Sequence, residues 1–246
     1  MSFANKVVLV TGGSSGIGAA TAILFSREGA NVVIVGRNET KLSETAKKCS
    51  DPLVIKADIT NMEDAKRIID ETIQAYGKID VLVNNAGIVR DGNILDENIL
   101  ETFDELMETN LRALFHMTHL AVPHIIETKG NIVNISSIAG KIYPDACLMA
   151  YGVSKAAVDH LTRGLALQLA KYGVRVNNIS PGPTVSDVLI NAGNDTPWEA
   201  LAPTLPLGKV SDAEEIADVI LFLASDKARS ITGVDYVVDN GKMLTK

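Results

Sequence analysis

The 246-residue sequence predicts an α/β domain, a doubly wound seven-stranded parallel sheet with helices on both faces. Three observations predict it. Short runs rich in Val and Ile recur along the chain, mostly without polar alternation, as in strands buried on both faces. Longer stretches with helical spacing of apolar residues separate them, which calls for right-handed crossovers between parallel strands. A glycine-rich loop, Thr11-Gly12-Gly13-Ser14-Ser15-Gly16-Ile17-Gly18, joins the first apolar run to the first helical stretch.

The elements follow in order. Val7–Val10, Val32–Val35, Leu53–Ile55, Val81–Val83, Ile132–Ile135, Val174–Ile179 and Val234–Val238 read as strands. Helical patterns lie between them near 16–28, 39–48, 61–76, 99–127, 152–171 and 212–224. Asn110 interrupts the long stretch 99–127, because Asn diverts local backbone hydrogen bonding. Ser211-Asp212-Ala213-Glu214 has the form of a capping box. No linker, repeat or low-complexity tract divides the chain, so residues 1–246 read as one domain. The stretch from Pro181 to Val210 carries Pro181, Pro183, Pro197, Pro203 and Pro206, and leaves room for only a short helix. Its place after the sixth strand marks 183–210 as a substrate-binding lid, with a plain surface excursion as the alternative.

Composition narrows the function classes. The chain is 46% hydrophobic and 22% charged, with formal net charge −7, which argues against general nucleic-acid binding. Cys49 and Cys147 imply no disulfide framework and no metal-ligand spacing. His116 and His119, three apart, lack a third ligand, so no metal is expected. The first residues run straight into a strand, which leaves no cleavable targeting segment, and no apolar stretch is long enough for a bilayer. A cytoplasmic protein is the expectation.

The loop 11–18 points to a dinucleotide. Gly12 turns tightly, Gly16 and Gly18 permit close backbone approach, and the helix start offers amides to phosphate. Ser14 and Ser15 either cap the loop or place hydroxyls near the cofactor. At the end of the second strand, where a carboxylate would accept the ribose hydroxyls of NAD, stand Gly36 and Arg37. Arg37 suits a 2′-phosphate, so NADP(H) is favoured, with NAD(H) use as the alternative. Asp58 either meets the adenine amino group or caps the next helix. Asn84-Asn85-Ala86-Gly87 ends the fourth strand and either lines the adenosine cleft or holds the strand end.

The acid–base candidates are Tyr151 and Lys155, four apart on one helix face. The ammonium is expected to stabilise phenolate and lower the phenol's pKa toward the working range. Ser136 and Ser137 end the fifth strand with side chains on opposite sides, so one of them faces the phenol. The set suits hydride transfer between a ketone and a secondary alcohol. The serine and Tyr151 would hold the oxygen, Tyr151 would pass the proton, and Lys155 would grip the nicotinamide ribose. A water near Asn110 would refill the proton path.

Taken together, in order and spacing, Thr11 through Gly18, Asp58, Asn84 through Gly87, Asn110, Ser137, Tyr151 with Lys155, and Pro181-Gly182 resemble the classical short-chain dehydrogenase/reductase family. The likeness covers nearly all of residues 5–240 and is strongest to 3-oxoacyl-acyl-carrier-protein reductases and related carbonyl or steroid reductases. It implies a Rossmann-type fold and a catalytic tetrad of Asn110, Ser137, Tyr151 and Lys155, selecting Ser137 over Ser136. It implies cofactor contacts from Gly12, Ser14, Ser15, Gly16, Ile17, Gly18, Arg37, Asp58, Asn84, Ala86, Gly87, Tyr151, Lys155, Pro181, Gly182, Thr184 and Ser186. It also implies a homotetramer built on the helices near 100–126 and 152–171 and on the segment 212–238, with Ala156, Ala157, Leu161, Leu165 and Leu169 offering an apolar side. The spacing from Ser137 to Tyr151 is one longer than is common in the family, and Lys141–Asp145 would bulge toward the substrate entrance.

Met149, Leu189 and Trp198, with Ser137 and Tyr151, are the candidate substrate contacts, and the substrate is a small-molecule carbonyl or alcohol of unspecified kind. The rivals are an NAD-dependent alcohol dehydrogenase of the same family, a nonenzymatic dinucleotide sensor and a purely structural homo-oligomer.

Overall fold

A computed structural model describes residues 3–193 and 196–245; positions 194 and 195 of the lid stretch, and the chain ends 1–2 and 246, lie outside the described residues. Among the described residues, seven strands form one sheet: β1 Val7–Thr11, β2 Asn31–Gly36, β3 Leu53–Lys56, β4 Val81–Asn84, β5 Asn131–Ile135, β6 Arg175–Pro181 and β7 Asp235–Val238. The order is β3-β2-β1-β4-β5-β6-β7 and every neighbouring pair is parallel. The order reverses at β1, which lies between β2 and β4, so the connections run outward in both directions and open a crevice beyond the carboxyl ends of these strands.

The helices are α1 Gly16–Arg27, α2 Glu39–Ala46, α3 Met62–Tyr76, α4 Ile99–Met107, α5 Ala113–Thr128, α6 Met149–Leu169, α7 Val188–Asn191 and α8 Ala213–Ala224. Alternate strand residues feed two cores. Val7, Leu9, Val33, Val35, Leu82 and Ile132 face α3, α5 and the C-terminal half of α6. Val8, Val10, Val32, Ile34, Val81 and Val133 face α1, Leu42 of α2, and α8. Both sets are almost wholly withdrawn from water, which is why the strands read as unbroken apolar runs.

Local chemistry sets several boundaries. Asn61 caps α3 by accepting from Glu63 and Asp64 N–H, and Gly77 ends it in the left-handed region. Asn38 caps α2 through Lys41 N–H at 3.0 Å. The capping box of α8 is one residue later than the sequence expectation. Asp212, not Ser211, is the N-cap, and Glu215, not Glu214, reaches back to Asp212 N–H at 2.9 Å. Ser211 is drawn instead into a bridge with Thr184 and accepts from Asn240 Nδ2.

The stretch read as one helix over 99–127 is broken at Asn110, as expected, by a five-residue π turn, Glu108–Arg112. The stretch 183–210 holds the short helix α7 and a 3₁₀ segment, Trp198–Thr204. Lys141–Asp145 forms an irregular turn with Tyr143 61% exposed. Lys141 turns inward, 2.7 Å from Asp235 and 3.1 Å from Ser180 Oγ, because Asp159 and Asp235 supply its buried counter-charges.

Candidate active site

The ends of β1, β2, β4, β5 and β6 open into a single cleft of about 540 Å³. Its floor is stitched by side chains at the crossover point. Thr11 Oγ1 accepts from the N–H groups of Asn85 and Ala86, both at 3.1 Å, and Asn85 Nδ2 donates to the carbonyls of Thr11 and Gly12. The loop after β1 is thereby held against the loop after β4.

The glycines of the first loop have separate reasons. Gly12 has φ of +67°, where a side chain is strained, and a Cβ there would also meet Asn85 at 2.7 Å. A Cβ on Gly18 would lie 2.2 Å from the Gly12 carbonyl oxygen, so this residue closes the helix onto its own loop. Gly18 accordingly packs the loop and does not line the cleft. Ser15, the N-cap of α1, makes no side-chain cap bond, which leaves its hydroxyl and the first helix amides facing the cleft. Gly12, Ser14, Ser15, Gly16, Ile17, Arg37, Asp58, Ala86 and Gly87 all line it. So do Ser137, Tyr151, Lys155, Pro181, Gly182, Thr184, Ser186 and Trp198.

Arg37 rises from the end of β2 with its side chain 70% exposed, 3.5 Å from Asp58. Asp58 also accepts from Thr60 N–H and Oγ1, and together these bonds outweigh burial and hold its carboxyl below the usual range. Asn84 stands apart from the cleft, contrary to one of its two sequence readings. It is buried between β4 and β5, donating to Thr118 Oγ1 and Asn134 Oδ1, both at 2.9 Å, because its side chain points into the core that Asn85 avoids. Met149 and Leu189 do not line the cleft either; on the lid side Val188, Asn191 and Trp198 do. Trp198 is tied down by Nε1 donating to the Ser186 carbonyl at 3.0 Å.

The two serines after β5 divide as strand alternation requires. Ser136 Oγ donates to the Lys155 carbonyl at 3.0 Å and is buried. Ser137 faces the cleft beside Tyr151 and accepts from Ala139 N–H at 3.1 Å. Close packing fixes this pairing: a Cβ on Gly140 would lie 2.9 Å from the Ala156 nitrogen, so the turn after Ser137 rests on the backbone of α6. Asn110 lies behind the cleft. Its Oδ1 accepts from Ile88 N–H at 2.8 Å, and its Nδ2 donates to the Ile88 carbonyl and Ser154 Oγ. Gly87 separates it from Lys155: a Cβ there would stand 3.1 Å from Asn110 Oδ1 and 3.4 Å from Lys155 Nζ.

The electrostatics correct one expectation. The Tyr151 phenol is pushed up to about 12, not down, because burial outweighs the lowering influence of Ser137. Burial lowers the Lys155 ammonium to about 8 against the opposing charge of Asp159. The i,i+4 spacing does bring the two together, with Nζ 5.8 Å from the ring centroid. Nζ, however, donates to the Ile135 carbonyl at 2.9 Å.

Sequence reasoning missed Lys41, Arg90 and Asp187 as cleft residues. Lys41, one turn beyond Arg37, carried a usable signal; Arg90 and Asp187 carried none. Arg90 is gripped by Glu105 at 3.0 and 2.7 Å and reaches the Asn191 carbonyl at 3.4 Å. Among the described residues, no group of His, Cys, Asp and Glu is arranged to hold a metal, and no helix is long and apolar enough to cross a membrane.

Comparison with known proteins agrees with the geometry. Residues 12–242 match the family model described as Enoyl-(Acyl carrier protein) reductase. The 3-oxoacyl-[acyl-carrier-protein] reductase FabG of Thermotoga maritima is 37% identical, covering 99% of this chain and 100% of the relative. The L-fucose dehydrogenase of Bos taurus is 36% identical, covering 98% and 91%. A short-chain dehydrogenase/reductase of unknown function from Caenorhabditis elegans, solved with cofactor, superposes with a TM-score of 0.92 at 37% identity, covering 99% of this chain and 97% of the other.

Proposed function

The chain belongs to the classical short-chain dehydrogenase/reductase family of oxidoreductases, and from that premise we propose that it interconverts a ketone and a secondary alcohol with NADP(H). One observation carries the reading. The Ser137 hydroxyl and the Tyr151 phenol open onto the same cleft as the glycine loop of α1. A hydroxyl pair placed at the far end of a dinucleotide cradle suits a carbonyl oxygen that must be held and protonated.

The residues fit a nicotinamide dinucleotide. Gly12 and Gly16 have φ of +67° and +51°, and the loop presents uncapped amides and the Ser15 hydroxyl at the start of α1. When bound, the cofactor supplies or accepts the hydride. The chain's own groups do the rest. Ser137 and Tyr151 orient the substrate oxygen, and in reduction the phenol donates its proton. Burial keeps that phenol protonated throughout the neutral range, the state a donor requires. Lys155 lies next to the phenol with a buried charge available to ribose hydroxyls and, through them, to the proton path. Asn110 fixes both backbone groups of Ile88, so the wall beside Lys155 stays in register.

The preference for NADP(H) rests on Arg37. The end of β2 carries no carboxylate for the ribose hydroxyls, since Asn38 is committed to capping α2 and Arg37 projects into the opening. Residues 183–210 serve as the substrate side, with Val188, Asn191 and Trp198 already on the cleft. The same reading includes a homotetramer. Leu165 and Leu169 prove to be packed on the sheet, while Phe115 and Leu167 stay 54% and 82% exposed on the outer faces of α5 and α6.

A ketone panel with NADPH and NADH tests the reading. Turnover that is lost in Tyr151→Phe, with NADPH favoured over NADH, is the expected result. Tight cofactor binding without turnover of any ketone or alcohol would identify a sensor instead.

A further inference from the structure

Lys41 and Asp187 lie 146 positions apart and meet across the mouth of the cleft, Lys41 Nζ donating to Asp187 Oδ2 at 2.6 Å. Lys41 sits in the first turn of α2, four residues beyond Arg37, so both cations rise from the wall at the end of β2. Asp187 belongs to the opposite wall. It follows Ser186, which crosses the glycine loop so closely that a Cβ on Gly16 would lie 2.8 Å from that of Ser186. It also immediately precedes α7.

The Ser15 hydroxyl at the start of α1 also acts on Asp187, favouring its charged form. The carboxylate therefore holds the Lys41 ammonium, with Ser15 as a weaker influence, on the wall against which a dinucleotide's phosphates must lie. Lys41 first, and then Ser15, hold its carboxyl below the usual range against the effect of burial. Both partners are partly exposed, at 42% and 31%, and such a pair holds the fold together only weakly. A phosphate brings more charge and more acceptor oxygens to the same ammonium.

We propose that Lys41 is a second cation for the cofactor's 2′-phosphate beside Arg37, and that Asp187 occupies it as an internal competitor until the cofactor arrives. The inference rests on the NADP(H) reading above. A 2′-phosphate takes Lys41 from Asp187 and releases the head of α7, whose Val188 and Asn191 line the substrate side of the cleft. NADH has no such phosphate and leaves Lys41 with Asp187. The pair thus links which cofactor is bound to the position of the lid helix.

The test is direct titration of the full-length chain with NADPH, NADH, adenosine 2′,5′-bisphosphate and AMP. The proteins are the wild type, Lys41→Gln, Asp187→Asn, the double variant and Arg37→Ala. Lys41→Gln is expected to weaken the two 2′-phosphate ligands about tenfold, the scale of one charge-assisted hydrogen bond, and the other two less than about twofold. Asp187→Asn is expected to tighten the 2′-phosphate ligands, and to lose that effect in the double variant. Equal weakening of all four ligands by Lys41→Gln overturns the assignment. So does an Asp187→Asn variant that leaves binding unchanged, or that loosens both cofactors as a clasp over bound dinucleotide would. If Arg37→Ala is selective for 2′-phosphate ligands while the Lys41 and Asp187 variants are not, this inference alone fails. If the wild type shows no preference for 2′-phosphate and Arg37→Ala changes nothing, the NADP(H) reading fails and takes the Lys41 assignment with it.

Discussion

Lys155 Nζ donates to the Ile135 carbonyl oxygen at 2.9 Å, tying α6 to the last residue of β5 through a cation only 5% exposed. The ammonium's pKa is about 8 in the folded chain and 10.5 in its ordinary state. Between those values the unfolded chain binds more protons than the folded one, so stability rises with pH through that window. Tyr151 acts in the opposite sense at higher pH. Its phenol is held at about 12 against an ordinary 10, so the unfolded chain loses that proton first and stability falls from pH 10 to 12. Urea unfolding of wild type and Lys155→Met at pH 7.5 and 9.5 isolates the lysine. The wild type is expected to gain roughly 2 kcal/mol relative to the variant over that interval. A constant difference contradicts the burial account.

Tyr151→Phe removes the phenolic hydroxyl while keeping the ring. Turnover is expected to drop by about 10²–10⁴-fold, the range for loss of a positioned proton donor. Cofactor affinity should change little, and thermal unfolding should stay within a few degrees of wild type. Ser137→Ala is expected to lower kcat less, since the phenol remains. A Phe variant with wild-type turnover removes Tyr151 from the chemistry.

Asn110→Leu strips Ile88 of both its N–H and its C=O partner in one change. An amide left without a partner costs about 1–3 kcal/mol when buried, and Ile88 is partly buried on the cleft wall, so a loss of about 1 kcal/mol in urea unfolding is expected. Hydrogen exchange at Ile88 is the specific readout and should accelerate well beyond the change in global stability. Asn110→Asp should recover the bond to Ile88 N–H and part of the protection.

Arg37→Ala should lower kcat/KM for NADPH by about 10–100-fold and leave NADH within a few-fold, as expected for one charged hydrogen-bonding partner of a phosphate. Parallel losses for both cofactors, measured in steady state, speak against a 2′-phosphate contact.

Gly18→Ala would set a Cβ 2.2 Å from the Gly12 oxygen, a backbone atom that cannot swing aside. The loop must shift, so dinucleotide binding is expected to fall at least tenfold, the equivalent of about 1.4 kcal/mol. Calorimetric titration checks this, and unaltered affinity would show that the loop adapts freely.

Much of this architecture was legible because the five central strands are buried on both faces. Runs such as Val32–Val35 have no polar interruption, and the glycine loop that starts at Gly12 follows β1 directly, so element type and order could be read without tertiary information. Tyr151 and Lys155 were legible because helical spacing dictates their adjacency. Spacing does not dictate where the Lys155 ammonium ends. The Ile135 carbonyl is brought there by β5, and it is burial, not proximity, that governs the phenol. Asn84 and Asn85 were indistinguishable as a pair, since only the strand's register decides which faces the core. The choice between Ser211 and Asp212 as cap was settled by Asn240, nearly thirty residues away. The pairing of Lys41 with Asp187 depends on a lid that returns over the first loop, a contact with no local signature.

Asn84 and Asn134 face each other directly in the β4–β5 ladder, and their amides hydrogen-bond to one another inside the core. Thr118 and Thr162 extend the contact to α5 and α6. The surrounding Val and Ile residues would tolerate a two-residue slip of either strand, because such a slip preserves which side faces inward. In either direction the amide–amide bond is lost: Asn84 would face Ile132 or Ser136, and Asn134 would face Ala86 or Leu82. The pair therefore distinguishes the native alignment from its slipped neighbours, which the hydrocarbon pattern alone does not.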